Sequence, residues 1–449
     1  KLPPRDLVTH RSGLPRHDLL WYNNLSLSRA EAVRRLRYLE ANKGLREEFQ
    51  YNNLMFVTAG YLVERLTGKS WEDNVRERIF QPLGMTSSKL AVEEAKAAPD
   101  VAVPYDKRDD VVKPIPYRVE GPCMGPAGAI YSSAADMARW VRLQIGDGSF
   151  DGKRLVQAAT LTDMHTPHMA IAQPPNPKHP EVGPAAYGLG WFVDSYRGHQ
   201  RVHHGGNIDG FSALVALFPR DGLGVAVLVN RNGSPLPGLV ARAVADRLLG
   251  LEPHDWSSEA LRETKMGEAL GKEAEKKKET VRRPGTKPAH ALEEYAGDYD
   301  HPGYGVMSVM LKDGKLSGRY NDIPLPLEHW HYETFNVLKD PVDPAGEGMK
   351  LTFRTNEDGD VAGVEAIMDP NVKPAYFERK ADARLFDPAF LGRLAGDFLI
   401  GDQTLKVTLR AKTLVLSVPG QAPVDLVPAR GTLFQLKGLS GYSVRFVVD

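Results

Sequence analysis

A single cysteine in 449 residues, Cys123, excludes an intramolecular disulfide framework. It leaves the compartment open, since many exported enzymes carry no disulfide either. No run approaches the ~20 consecutive apolar residues of a membrane-spanning helix. Neither sign of charge is in excess: 57 basic side chains meet 57 acidic ones. That balance argues against nucleic acid or an anionic membrane surface as the main partner. The one basic run, Lys276-Lys277-Lys278, is interleaved with Glu273, Glu275 and Glu279 and reads as a solvated face. A small molecule or peptide is the partner that remains. Histidine pairs at 165/168 and 329/331 lack an obvious third ligand, so neither a metal nor another cofactor is expected. The opening Lys1 is not a methionine and no signal peptide is visible, which reads as a chain whose front lies elsewhere.

At 42% apolar and 25% charged, the chain suits two or three domains with sizeable cores. Ser28 with Glu31 predicts a capped helix to about Ala41, and a second amphipathic helix runs from Phe49-Gln50-Tyr51-Asn52-Asn53 to Thr67-Gly68. Ser70 with Asp73 starts another, stopped by Pro82 and Gly84. Residues 91–127 lose periodicity and read as a long surface excursion that holds Cys123 as a packed thiol. Ser133 caps a helix over Ala134 to Ile145. Strands follow at Tyr187 to Asp194, Ala213 to Phe218 and Leu223 to Val229, then a helix from about Pro237 to Leu249. Together these predict a mixed α/β sheet packed by helices over 1–252. Residues 253–289 are dense in charge and read as a linker, partly helical at most.

Residues 290–449 turn to short alternating strands with Gly and Asp turns, an antiparallel β region. Leu292-Glu293-Glu294-Tyr295-Ala296-Gly297-Asp298-Tyr299 is echoed by Leu391-Gly392-Arg393-Leu394-Ala395-Gly396-Asp397-Phe398, which makes two repeat units. The second, ending at Val447-Val448-Asp449, lacks the last turn and strand of the first and reads as cut short. Trp330, Tyr332 and Phe335 are expected to pack the barrel rather than line a ligand cage.

The chemistry centres on Tyr51. A helix N-terminus carries partial positive charge and unpaired N–H groups, which favour an anionic oxygen nearby. A phenol that normally titrates near pH ~10 still needs a cationic partner within a few Å to act as a base near neutrality. His203-His204-Gly205-Gly206-Asn207 reads as a glycine-rich segment between a strand and a hairpin, where exposed N–H groups could hold an oxyanion.

Six ordered segments resemble one family. Arg5-Asp6-Leu7-Val8-Thr9-His10-Arg11-Ser12-Gly13-Leu14-Pro15 resembles its "RDLLTHTSGLP" stretch, Tyr51-Asn52-Asn53 its Tyr-x-Asn helix, and Pro82-Leu83-Gly84-Met85 its "PLGM" turn. Ala127-Gly128 through Ala138, Tyr187-Gly188-Leu189-Gly190-Trp191 and His204-Gly205-Gly206 complete the series. The family is the serine hydrolases related to class C β-lactamases, D-alanyl-D-alanine carboxypeptidases, D-aminopeptidases and esterases, and the resemblance covers about residues 1–250. It implies a β-lactamase/transpeptidase-like mixed antiparallel sheet with helices. A weaker likeness at the C-terminus is to lipocalin-like barrels.

The resemblance also implies roles. Tyr51 would shuttle a proton, Asn53 would hydrogen-bond substrate, His204 with Gly205 and Gly206 would form the third motif, and the N–H of Asn207 would be an oxyanion donor. An acyl-enzyme on amide or ester bonds of a small substrate follows, in a periplasmic or secreted setting. The nucleophile is missing: no serine is followed three residues later by lysine, and the nearest case is Thr86-Ser87-Ser88-Lys89. The Ser-x-x-Lys motif is therefore expected before Lys1, which would leave this fragment inactive alone. Histidine rather than lysine at 204 favours a peptidase or esterase over a β-lactamase, because a permanent cation suits a carboxylate. The rival reading is a catalytically dead peptide-binding protein, and a third is a lipid-carrying barrel with a wide apolar cavity.

Overall fold

The computed structural model describes residues 2–108, 110–119, 121–174, 176–278, 282–439 and 441–446. Two compact units divide the chain, Lys1–Thr280 and Val281–Asp449. The side chains of Lys276-Lys277-Lys278, and all of Glu279 and of residues 447–449, lie outside what is described.

In the first unit, helix α1 (Arg29–Arg35) begins as expected, with the Ser28 side chain accepting from the N–H of Glu31. It is shorter than its pattern predicts. Leu36–Tyr38 tightens into a 3-10 turn and Leu39 becomes extended, which buries the Leu39 side chain. Helix α2 (Asn53–Thr67) is capped by Asn52, whose side chain accepts from the N–H of Met55, and ends at Gly68 in the left-handed region (φ 70°) that favours glycine. The helix after Ser70 runs on through Gln81-Pro82-Leu83 to Gly84, so Pro82 sits in a last turn rather than stopping it. The 91–127 excursion is more ordered than expected. It holds a helical turn at Val92–Lys96, a hairpin of Tyr105–Arg108 with Val111–Pro114, and a turn at Gly125–Gly128.

Helix α3 (Ala134–Ile145) matches its predicted bounds, with the Ser133 hydroxyl accepting from the N–H of Asp136. Strands β1 (Met169–Ala170), β2 (Ala186–Tyr187), β3 (Phe192–Tyr196), β4 (His199–Ile208), β5 (Phe211–Phe218) and β6 (Leu223–Val229) form one antiparallel sheet, each paired to the next in chain order. Helix α4 is Leu236–Leu248. Alternation along β5 separates two layers: Leu214, Ala216 and Phe218 pack with Ala241 and Ala245 of α4, while Val215 and Leu217 pack with Val141 of α3. A side chain at Gly224 would meet Val141 Cγ1 at 2.4 Å, so glycine there lets α3 close on β6. The result is a helix–sheet–helix sandwich.

Within the stretch read as a linker, Trp256–Lys278 forms helix α5. Its first residue is buried: Trp256 Nε1 donates to Asp246 Oδ2 at 2.8 Å, and the Tyr196 hydroxyl donates to Asp246 Oδ1 at 2.7 Å.

The second unit opens with a closed up-and-down barrel of β7 (Gly297–His301), β8 (Gly305–Lys312), β9 (Lys315–Tyr320), β10 (Ile323–His331), β11 (Thr334–Val337), β12 (Lys350–Thr355), β13 (Val361–Ala366) and β14 (Ala375–Arg379). Pairing of β7 with β14 closes it, and the architecture is lipocalin-like. Its interior is filled. Tyr299, Tyr320, Phe335, Phe353 and Phe377 are fully buried, and Phe353 touches the Tyr295, Tyr299 and Phe335 rings at 4.9–5.7 Å between centroids. Eight strands enclose about enough room for such side chains or for one small ligand, and the buried rings that occupy this interior count against the wide apolar cavity of the lipid-carrier reading. Trp330 and Tyr332 also depart from expectation. Only Phe335 is interior; alternation along β10 puts Trp330 outside, under Lys350 Nζ at 4.1 Å, and Tyr332 is exposed in a turn.

The second repeat is an open sheet of β15 (Gly396–Ile400), β16 (Gln403–Arg410), β17 (Thr413–Ser417), β18 (Val424–Pro428), β19 (Leu433–Leu436) and β20 (Ser443–Arg445). It has six strands among the described residues where the first repeat has eight. The echo is structural as well: Tyr295 in one repeat and Leu394 in the other are buried just before the first strand.

Candidate functional site

Three separate stretches converge on Tyr51. The first is the turn carrying His10, which is tied down by backbone bonds from Gln50 N–H to His10 O and from Arg46 N–H to Arg11 O, both 2.8 Å. Buried Asp6 reinforces it by pairing with Arg11 at 2.6 Å and Arg46 at 2.8 Å. The second stretch is the start of α2. Gly60 lets that helix approach closely, since a Cβ there would lie 2.1 Å from Pro126 Cγ. The third is β4, which carries His204.

Tyr51 stands just outside the helix, before the cap residue Asn52. Asn52, the middle residue of Tyr-x-Asn, is the structural hub. Its N–H donates to His10 Nδ1 at 3.0 Å, its amide donates to the carbonyls of Leu14 and Pro15, and it caps α2. A ring nitrogen that accepts carries no proton, so His10 is the neutral Nε2–H tautomer. Burial, with repulsion from His204 and Arg16 added, pushes His10 down to about 3. Its ring packs on Tyr51 at 4.2 Å, Tyr187 at 4.7 Å and Phe56 at 5.1 Å, and among the described residues Nε2 has no hydrogen-bond partner.

His204 lies across the site, with its ring centroid 6.1 Å from that of Tyr51. Nδ1 is 2.7 Å from Gly205 O, and a carbonyl only accepts, so Nδ1 bears the proton. Nε2 then accepts from the Tyr187 hydroxyl at 3.0 Å. Burial lowers the His204 pKa, the Gly205 carbonyl opposes this, and His203 adds to it. Burial also holds the Tyr187 phenol well above the ordinary range. The pair is therefore a neutral phenol donating to a neutral imidazole.

The Tyr51 phenol is raised as well. Burial outweighs everything else, Arg16 opposes it and Asp18 adds to it. The helix end alone does not ease deprotonation here, because half-burial of the ring removes water from the anion. A cation does lie close to the ring: Arg16 Cζ is 5.0 Å from its centroid. Asn53, the first residue of α2, points its amide at Asp18 Oδ1 at 3.5 Å.

The glycine segment is not a loop. His204, Gly205, Gly206 and Asn207 lie inside β4, paired with Val215, Leu214, Ala213 and Ser212 of β5. On the other side β3 pairs only as far as His203 with Phe192, so among the described residues no strand covers the second backbone edge at 204–207. Gly205, Gly206 and Asn207 are exposed there. The Asn207 side chain is occupied with Asn232, Ser212 and the N–H of Gly233, which leaves its backbone as the group open to a ligand.

The other sequence candidates sit apart. His165 Nε2 bonds Gln144 Oε1 at 3.0 Å, and His168 lies against Asp163 and Arg5. No group of three metal-ligating side chains occurs among the described residues. An open cavity of about 540 Å³ beside Glu181, Arg197, His254 and Trp256 shares no residue with the Tyr51 cluster. Sequence reasoning missed four members of the cluster: His10 and Tyr187 lay in quoted motifs without a role, Arg16 lay one residue past a motif, and Asn52 carried an N-cap signal that was not used.

The beta-lactamase family matches residues 1–249, and a domain of unknown function (DUF3471) matches residues 281–381, which hold the barrel. An unguisins hydrolase of Aspergillus campestris is 30% identical over 396 residues, covering 82% of this chain and 70% of that protein. A second, from Aspergillus violaceofuscus, is 31% identical over 341 residues, covering 69% of this chain and 59% of that protein. Among solved structures, the octameric penicillin-binding protein homologue from Pyrococcus abyssi is similar at 19% identity and TM-score 0.49, covering 92% of this chain and 76% of that one. With more than half of its length matched, the chain belongs to the beta-lactamase family.

Proposed function

We propose that this protein is a serine hydrolase that cleaves an amide or ester bond of a small peptide-like substrate through an acyl-enzyme. The observation that carries the reading is the approach of Tyr51 and His204, from distant parts of the chain, beside an uncovered strand edge. Tyr51 is the proton shuttle in this reading, Asn53 a substrate hydrogen-bonding residue, and the N–H of Asn207 an oxyanion donor. His204 is neutral and already holds a phenol, unlike a lysine poised for a substrate carboxylate, so a peptidase or esterase activity is favoured over a β-lactamase one. The 30%-identical relative named a hydrolase supports the same class.

The reading needs a nucleophile that these 449 residues do not supply as Ser-x-x-Lys. In this reading these 449 residues by themselves would not turn over. Fluorophosphonate labelling of the full gene product tests this. A labelled serine three residues before a lysine, with labelling slowed at least ~100-fold by Tyr51→Phe, supports it. No labelled serine, together with retained peptide binding, supports the alternative of an inactive binding protein. Labelling untouched by Tyr51→Phe removes Tyr51 from the mechanism. Export to the periplasm or medium belongs to the same proposal and is read by cell fractionation.

A further inference from the structure

We propose that Arg16 is the positioning cation of this site: Asp18 fixes its guanidinium over the Tyr51 ring, where it supplies the permanent positive charge that favours the phenolate. The catalytic meaning rests on the proposed role of Tyr51, but the pairing itself does not.

The turn at Gly13-Leu14-Pro15 places Arg16. Both carbonyls that precede it, Leu14 O and Pro15 O, accept from the Asn52 amide, so the segment bearing Arg16 is bonded to the neighbour of Tyr51. Arg16 Cζ lies 5.0 Å from the Tyr51 ring centroid. Its Nε donates to Asp18 Oδ2 at 2.5 Å. The other carboxylate oxygen accepts from Trp21 Nε1 at 3.0 Å and faces the Asn53 amide at 3.5 Å. One carboxylate thus orients both the cation above Tyr51 and the amide two residues along. The carboxylate is held by Trp21 and Asn53 as well as by Arg16, and it fixes the guanidinium in turn.

The remaining groups facing Tyr51 bring no lasting positive charge. His10, from the N-terminal turn, is neutral by its tautomer, and His204, from β4, is a neutral acceptor. Tyr187, from β2, is a protonated phenol. Asp18 is negative and works against ionisation, but Arg16 claims it at short range. Arginine stays charged at every working pH, so among these described neighbours it alone favours the anion permanently. Half of its side chain is exposed, so water screens the effect and it should be modest.

The test reads the phenol directly and needs no turnover. The chain is labelled with 3-fluorotyrosine, whose phenol titrates below that of tyrosine, and Tyr51 is assigned by the ¹⁹F resonance lost in Tyr51→Phe. In Arg16→Gln the Tyr51 midpoint should rise by about half a pH unit or more, and Arg16→Lys should restore most of the difference. Arg16 is on the surface, and unchanged far-UV circular dichroism checks that the variants fold. A midpoint unmoved in Arg16→Gln, or a rise that Arg16→Lys does not reverse, overturns the proposal. Because the titration is independent of any hydrolysis, an inactive full-length protein would sink the hydrolase reading and leave this pairing to stand or fall alone.

Discussion

The Tyr187 hydroxyl donates to Nε2 of His204 at 3.0 Å, joining the short strand β2 to the far strand β4 across the end of β3. That bond occupies the ring nitrogen which would otherwise take up a proton.

Removing it should make His204 more basic. In Tyr187→Phe the imidazole midpoint, read by histidine ring proton shifts, is expected to move up, and stability to fall by about 1–2 kcal/mol for the acceptor left without a donor. A midpoint that stays or falls would mean burial alone sets this histidine.

His10 predicts a pH dependence of folding. Its folded pKa of about 3 lies below the ordinary value of 6.5, so between those limits the unfolded chain binds more protons. Stability from this group is therefore complete above pH ~6.5 and is lost as pH falls toward 3, on the order of 3 kcal/mol by pH 4. His165, lowered to about 4 by burial, adds in the same direction. His10→Asn keeps an acceptor for the Asn52 N–H and tolerates the φ of 52°, so its urea midpoint should fall less steeply with acid. Parallel curves for the two proteins would contradict this.

Gly60→Ala tests the contact beneath α2. Alanine gains up to ~1 kcal/mol in helix propensity, but its methyl must displace the Pro126 ring. A net loss of about 1–2 kcal/mol is expected in denaturant melts. A gain would show that the Gly125–Gly128 turn yields at little cost.

Phe353→Ala opens the barrel's interior, where the ring meets three other aromatics. The cost should be about 3–5 kcal/mol, seen as loss of amide-exchange protection in β11 to β13. Retained protection would mean that the neighbouring rings collapse into the gap.

Local signals were legible where the chain itself supplies the partner. Ser28, Ser70 and Ser133 each cap the helix start they mark, and β5 and β6 fall where alternation and the Pro219 to Gly222 turn put them. The Ala41 helix end failed because Leu36–Tyr38 tightens into a 3-10 turn and Leu39 turns extended and is buried, which helical periodicity does not encode. The glycines at 205 and 206 suggested a loop because intrinsic preference carries no knowledge of the β5 strand that pairs with them. The candidate site was readable only in part for the same reason. Tyr51 stood out at a helix start, and Asn53 and His204 through the resemblance to a family's motifs, whereas the proton positions on His10 and His204 depend on Asn52, Gly205 and Tyr187 together.

The uncovered edge of β4 has a cost of its own. A strand with one bare backbone edge invites the same strand of another molecule to pair with it, which is how sheets begin to aggregate. Gly205 and Gly206 are poor strand formers with no side chains to interlock, and they occupy the bare positions. The two exposed glycines on the bare edge are thus the ones that make it a weak template for self-association.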